Sequence, residues 1–174
     1  HILQTARPEG KVVGIKGEKL GPVGALLAAF DQINDNAPVL ISYCDYYMLW
    51  DHSRFFRLIE HEKFDGAIPC YSGFHPHLLP KDNLYASCRV DETQGLIEIR
   101  EKYSFEVDKT KALHSPGMYY FSSGKLLKHY CRALVDSGET LNGEYYVSLV
   151  YNRMVKDGLH IFVPNIVEYF CQWG

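Results

Sequence analysis

The sequence predicts an α/β protein, with helices on both faces of a central mixed sheet in a three-layer α/β/α, Rossmann-like arrangement. Strand-like and helix-like segments alternate along the chain, which is the pattern of such layered folds. One continuous apolar run, Val39-Leu-Ile-Ser-Tyr-Cys44, suits the middle of a parallel sheet better than a half-exposed strand. Apolar residues also recur at helical spacing in two places, Val23 to Ile33 and Val147 to Val155.

Taken in order, Lys11-Val-Val-Gly-Ile15 is a short strand candidate. Val23, Leu26, Leu27, Phe30 and Ile33 mark the first helix, which should stop in the turn-rich Asn34-Asp-Asn-Ala-Pro38. After the apolar run and Asp45, a second helix from about Asp51 to Glu62 and a strand at Gly66–Cys70 complete a strand-helix-strand unit. Ser72 to Asn83 reads as a loop. Tyr85–Val90 and Leu96–Ile99 flank the hairpin-like turn Asp91–Gly95. A polar stretch, Ser104–Lys111, leads to a strand at Gly117–Phe121 and a helix with Leu127, Tyr130, Cys131 and Leu134 on one face. The last helix begins near Asn142-Gly-Glu144, buries Val147, Val150, Tyr151, Met154 and Val155, and ends at Asp157-Gly158, where glycine serves as a C-cap. Leu159–Val163 is the final strand.

A chain of 174 residues fits a single domain, residues 1–174, because a chain of ~150 residues buries roughly two thirds of its unfolded surface. A composition of 47% hydrophobic and 22% charged residues is that of a globular domain, and a net charge of -3 makes no field that would gather nucleic acid or an anionic membrane. Five scattered cysteines, without a C-x-x-C pair, read as reduced core residues of a cytoplasmic protein. No apolar run approaches the ~18 residues of a membrane span, and His1 to Gly17 has no signal-peptide pattern.

The chemistry-bearing residues are few. Asp45 follows a buried strand, where ligands of open α/β sheets bind, and a carboxylate there suits Mg²⁺ shared with phosphates; the same residue would also cap a turn. Glu101-Lys102 ends a strand, and an adjacent carboxylate and ammonium can hold a hydroxylated ligand and its phosphate. Because side chains alternate along a strand, the pair works together only if the strand ends there and the backbone turns; otherwise it is a solvated ion pair. Leu20-Gly-Pro-Val-Gly-Ala-Leu26 places two glycines and a proline before a helix, either a plain entry to the helix or a turn letting backbone amides approach a flat or anionic ligand. His75-Pro-His77 reads as metal ligands, a pocket-lining loop or a surface loop. Glu144 and Tyr145, off the apolar stripe of the last helix, are placed to meet ligand hydroxyls, although helix dipoles also favour an acidic first turn.

In order and spacing, Gly21-Pro-Val-Gly24-Ala, the apolar strand ending in Asp45, Glu101-Lys102, Ser115-Pro-Gly-Met-Tyr-Tyr-Phe121, Asn142-Gly-Glu-Tyr-Tyr-Val-Ser148 and Gln172-Trp-Gly174 resemble the sugar-phosphate nucleotidylyltransferase family, in its capsular and surface-polysaccharide branch. The resemblance implies the nucleotide-diphospho-sugar transferase fold and transfer of a nucleotidyl group from a nucleoside triphosphate to a sugar 1-phosphate or similar phosphorylated small molecule, releasing pyrophosphate. It implies that Gly21, Pro22 and Gly24 lie along the nucleotide base and that Asp45 binds Mg²⁺. Gly117, Glu101, Glu144 and Tyr145 would meet the acceptor, and Lys102 would hold its phosphate for attack. The sequence departs from the family twice. The G-x-G-x-R segment is absent from these residues, which implies that such a segment precedes His1 and that the chain without it is nearly inactive. Gln172 stands where relatives carry a second metal-binding Asp. A glycosyltransferase of similar fold is the first alternative, although Asp45-Tyr-Tyr47 lacks the second Asp of an Asp-x-Asp motif; a non-catalytic, degenerate transferase domain is the second.

Overall fold

The structure, a computed structural model, describes residues 2–15 and 20–173. Along the chain run α1 (Ile2–Ala6), α2 (Pro22–Ala29), β1 (Val39–Ser42), β2 (Tyr46–Trp50), α3 (His52–Glu62), β3 (Gly66–Ala67), β4 (Ser87–Val90), β5 (Leu96–Arg100), β6 (Leu113–His114), β7 (Met118–Phe121), α4 (Gly124–Ser137), α5 (Val147–Lys156), β8 (Ile161–Phe162) and β9 (Val167–Gln172). The central sheet has the order β1-β7-β3-β8 and is mixed: β7 is antiparallel to β1 and β3, while β3 and β8 are parallel.

Alternation along the strands divides the interior into two cores. Tyr119, Phe121 and Ile161 face the larger one, with α4 and α5 supplying Leu127, Leu134, Val147, Val150 and Met154 and α2 supplying Val23. Ala67 and Tyr120 face the smaller one, built on Phe55 and Ile59 of α3 and on Val167 and Phe170 of β9. The expected three layers result. The predicted helices at Val23, Asp51 and Leu127 are present; Asp51 caps α3 by accepting the Arg54 N–H at 2.8 Å, and Ser123 does the same for α4.

Several local expectations are corrected. Lys11–Ile15 forms no strand. The apolar run forms β1, but among the described residues this is an edge strand, paired only with β7 and antiparallel to it. Val39 and Ile41 turn toward the core while Leu40 is 38% exposed. The last helix starts at Val147, not Asn142. Asn142 and Gly143 both have positive φ, and Leu141 and Glu144 exchange backbone hydrogen bonds of 3.0 Å, so Asn-Gly forms a two-residue turn. β2 and β9, absent from the sequence reading, pair with each other as a separate antiparallel ribbon, and β6 adds a third strand to the predicted β4–β5 hairpin. Cys70, Cys88 and Cys131 are buried as expected, but Cys44 is exposed and Cys171 half-buried; all five thiols are free. No described helix is long and apolar enough to cross a membrane.

The outer edge of β5 is closed by a side chain. The Asn152 carboxamide accepts the Ile99 N–H at 2.9 Å and donates to the Ile99 carbonyl at 2.8 Å, giving a buried residue the two bonds a neighbouring strand would supply. This clamp ties β5, and the residues that follow it, to α5.

His75 and His77 pack around Tyr71 together with His114, at ring separations of 4.7, 5.4 and 5.5 Å, and Tyr71 stacks on Phe170. No described group of three or more His, Cys, Asp or Glu side chains is placed to hold a metal, so the metal reading of His75-Pro-His77 gives way to a packing role. Burial, and next the charges of His75 and His114, pull the pKa of His77 down to about 4. A base whose pKa is lowered by folding adds stability above its unfolded value near 6.5 and loses it as pH falls from there toward 4. Urea unfolding followed from pH 7.5 to 4 should therefore show a steep loss in the wild type and a shallower one in His77→Gln. Equal slopes would remove His77 from the acid response.

Candidate active site

Four stretches of chain converge at the carboxyl end of β1. The Tyr43 N–H donates to the Gly117 carbonyl at 3.0 Å, extending the β1–β7 register by one step and bringing Asp45 to the entrance of β7. Gly117 has φ +86°, and a Cβ there would stand 2.7 Å from Cδ2 of Tyr43, so only glycine fits. From the other side β9 closes in: the Trp173 N–H donates to the Asp45 carbonyl, and Gln172 Nε2 donates to Asp45 Oδ2 at 3.0 Å. Gln172 thus lies beside Asp45; Gly174, the last residue of that motif, lies outside the described residues.

Glu101 and Lys102 leave β5 in a turn. Lys102 has φ +52°, a left-handed conformation that costs an L-residue about 1 kcal/mol. That turn is what lets adjacent side chains share one side, the condition the sequence reading set. Both line a cavity of about 230 Å³ with Asp45, Gly117 and Gln172. Tyr43, Tyr46, Tyr85, Tyr119, Tyr146 and Phe170 form much of its wall.

The two members of the dipeptide have different surroundings. Glu101 is half-buried and Lys102 exposed. Burial pushes the Glu101 pKa up, while a hydrogen bond from Ser148 and the charge of Lys102 restrain the rise. Ser148, fully buried in the first turn of α5, donates its hydroxyl to Oε1 of Glu101. The Lys102 ammonium makes no ion pair among the described residues; it stands 5.8 Å from the centre of the Tyr146 ring.

The turn at Asn142-Gly143 redistributes the predicted roles nearby. Tyr146 lines the cavity in place of Tyr145. Its hydroxyl donates to Glu144 Oε2 at 2.6 Å, and burial, then Glu144, pushes its pKa up to about 12. Glu144 therefore sits behind Tyr146 and does not line the cavity. Tyr145 packs against the main core, its N–H bonded to the Leu20 carbonyl and its carbonyl to the Val23 N–H. Gly21, at φ +82°, lies against this segment; a Cβ would come 2.9 Å from that of Glu144. Gly21 thus seats the start of α2 on residues 144–145, Gly24 stands against Leu20, where a Cβ would come 2.8 Å from that of Leu20, and none of Gly21, Pro22 and Gly24 lines the cavity.

Tyr43, Tyr146 and Ser148 are site residues that the sequence reading did not single out. Tyr43 and Tyr146 lie inside quoted motifs, next to or near selected residues, but the facing of each depends on turns. Ser148 shows no chemical signal of its own until α5 is docked on β5.

The architecture is a three-layer α/β fold around a mixed central sheet. Two solved structures share it. One is a nucleoside-diphosphate-sugar pyrophosphorylase from Vibrio cholerae RC9, with a TM-score of 0.63 and 18% identity, the match covering 86% of this chain and 58% of that one. The other is described as a glucose-1-phosphate thymidylyltransferase from Bacillus anthracis, solved with sucrose, with a TM-score of 0.64, 15% identity, and coverage of 90% and 57%. The chain thus spans under two thirds of the length of each. No family model matches the chain, and no curated protein does so.

Removing the Ser148 hydroxyl should raise the Glu101 pKa further, since its hydrogen bond lowers that value. Carbon-13 NMR titration of labelled glutamate carboxyls would show Glu101 protonating at higher pH in Ser148→Ala and returning toward wild type in Ser148→Thr. An unmoved titration in Ser148→Ala would separate the two residues.

Proposed function

We propose that this domain carries out Mg²⁺-dependent transfer of a nucleotidyl group from a nucleoside triphosphate to a sugar 1-phosphate or similar phosphorylated small molecule, with release of pyrophosphate. The observation that carries this reading is the convergence of Asp45, Glu101, Lys102 and Gly117, from three separate stretches, on one cavity. Two proteins of the same fold bear the names of pyrophosphorylase and thymidylyltransferase, which supports it.

Such a reaction needs positioning and charge neutralisation more than a covalent intermediate. Asp45 offers an exposed carboxylate whose Oδ2 is steadied by Gln172, a fit for Mg²⁺, which takes one or two carboxylates and completes its shell with phosphate and water oxygens. Bound there, the ion would neutralise triphosphate charge. Gln172 brings no second carboxylate, so Asp45 is the sole acidic ligand of this pair. Lys102, unpaired by any described carboxylate, would hold the acceptor phosphate, and Glu101 would meet the remainder of the acceptor. Gly21, Pro22 and Gly24, with Glu144 and Tyr145 packed against Gly21, would support the nucleotide from outside the cavity. The setting is the cytoplasm, in keeping with five free thiols, and the role is making nucleotide sugars for surface or capsular polysaccharide.

The test is pyrophosphate release by the full-length protein with each nucleoside triphosphate and a panel of sugar 1-phosphates, with and without EDTA. Release should require one triphosphate and one acceptor together and stop with EDTA. Asp45→Asn should lower turnover on the order of 10²-fold at every Mg²⁺ concentration; wild-type rates would exclude Asp45 from the site. Lys102→Ala should chiefly raise the acceptor KM, and unchanged acceptor kinetics would contradict its role.

A further inference from the structure

We propose that Asn83 is a positioning residue for Lys102: its carboxamide holds the backbone just beyond the left-handed turn and so keeps the Lys102 ammonium at the cavity. The inference rests on the reading of Lys102 as the group that holds the acceptor phosphate, and it assigns a role to a residue outside the cavity lining.

The first ground is the bonding of one side chain. Asn83 Nδ2 donates to the Tyr85 carbonyl at 2.9 Å and to the Tyr103 carbonyl at 2.5 Å. A primary amide carries two N–H groups in one plane, so the two carbonyls are held in a set relation. Leu84 and Tyr85, which follow Asn83, line the cavity, and so does Lys102, which precedes Tyr103. One carboxamide therefore joins the loop side of the cavity to the strand end that carries its cation.

The second ground is what else holds that turn. Lys102, at φ +52°, occupies a region that L-residues keep only where their surroundings enforce it. Before the turn, Asn152 fixes Ile99 and Ser148 fixes Glu101. After it, the Tyr103 and Phe105 rings lie against the Arg100 guanidinium at 5.0 and 5.4 Å, which seats side chains and leaves the main chain unbonded. Among the described residues, no backbone-to-backbone hydrogen bond outside the regular strands and helices involves Glu101 to Phe105. The bond from Asn83 ties this stretch of main chain to a separate part of the fold.

The third ground is an unpaired atom. Asn83 Oδ1 is buried without a hydrogen-bond partner. The neighbours settle the amide orientation, since turning it over would set the oxygen against two carbonyls. Folding thus leaves one acceptor unsatisfied so that both donors are used, a cost met where a polar side chain does more than fill space. The loop that carries Asn83 is itself anchored. The Lys109 ammonium donates to the Pro80 carbonyl, and the Lys109 carbonyl is bonded to Nε2 of the fully buried His114 at 2.8 Å. Support runs from His114 through Lys109 and the loop to Asn83, and from there to the turn at Lys102.

Isothermal titration of the full-length protein with glucose 1-phosphate and with inorganic phosphate reads the effect directly. Asn83→Ala should weaken both on the order of tenfold, as should Lys102→Ala, while the double variant should bind no more weakly than Lys102→Ala alone. A residue that only supports the fold would add its loss to that of Lys102→Ala. Asn83→Asp keeps the shape of the side chain without an N–H, so a loss shared with Asn83→Ala belongs to the donated bonds. Backbone NMR of the free protein makes the same check without a ligand: the strong intraresidue HN–Hα NOE of a positive-φ residue should weaken at Lys102 in both variants, with the rest of the spectrum showing the fold intact. Wild-type binding in both Asn83 variants, additive losses in the double variant, or an unmoved Lys102 NOE would overturn the positioning role. Unchanged binding in Lys102→Ala, or no binding of either probe by the wild type, would instead reject the phosphate reading on which it rests.

Discussion

Tyr43 rests on Gly117, and the architecture of the cavity depends on that contact. The backbone bond from Tyr43 to Gly117 prolongs the pairing of β1 with β7 past the last residue of β1 and ahead of the first residue of β7. The Tyr43 ring then occupies the space a side chain at 117 would need. Because the contact sits where two antiparallel strands part, it sets the direction in which the chain leaves β1. Asp45 consequently emerges at the cavity mouth, the Tyr43 ring becomes a wall, and β9 can reach Asp45 through Gln172 and Trp173.

The opposite wall depends on α5. Asn152 holds the edge of β5 through Ile99, and one turn earlier Ser148 holds Glu101. The same helix that fills the main core with Val147, Val150 and Met154 therefore fixes the end of β5, where the backbone enters its left-handed turn at Lys102. Packing energy is spent on local strain, as is common where a site requires a side chain to face an unusual way. Burial separates the two charges of the dipeptide: Glu101 is drawn among aromatic rings, while Lys102 stays in contact with water and free to meet an anion.

The helical stripes were legible because a buried face repeats at the period of the helix whatever lies opposite. The β4–β5 hairpin was legible from its turn, and Asp45, Glu101 and Lys102 stood out as polar residues ending apolar runs. β2 and β9 were harder to see. Each is short, and they pair across more than a hundred residues, so neither shows a local signal of its partner. The start of α5 was misplaced because Asn142-Gly143-Glu144 carries two signals at once, an acidic first turn and an Asn-Gly reverse turn. The second is realised, since Leu141 and Glu144 close a bonded loop around it.

By itself, the sequence determined the layer architecture, the main helices and which polar residues were available for chemistry, because these follow from periodicity and from the ends of apolar runs. Only the tertiary structure decided which of those residues meet. Tyr146 rather than Tyr145 faces the cavity, Gly21 seats α2 outside it, and Glu144 stands behind a tyrosine. Each outcome depends on a single turn or a single close approach, and a shift of one residue in a turn sends a side chain to the other face. Such choices are made by packing between distant segments, which composition and spacing do not record.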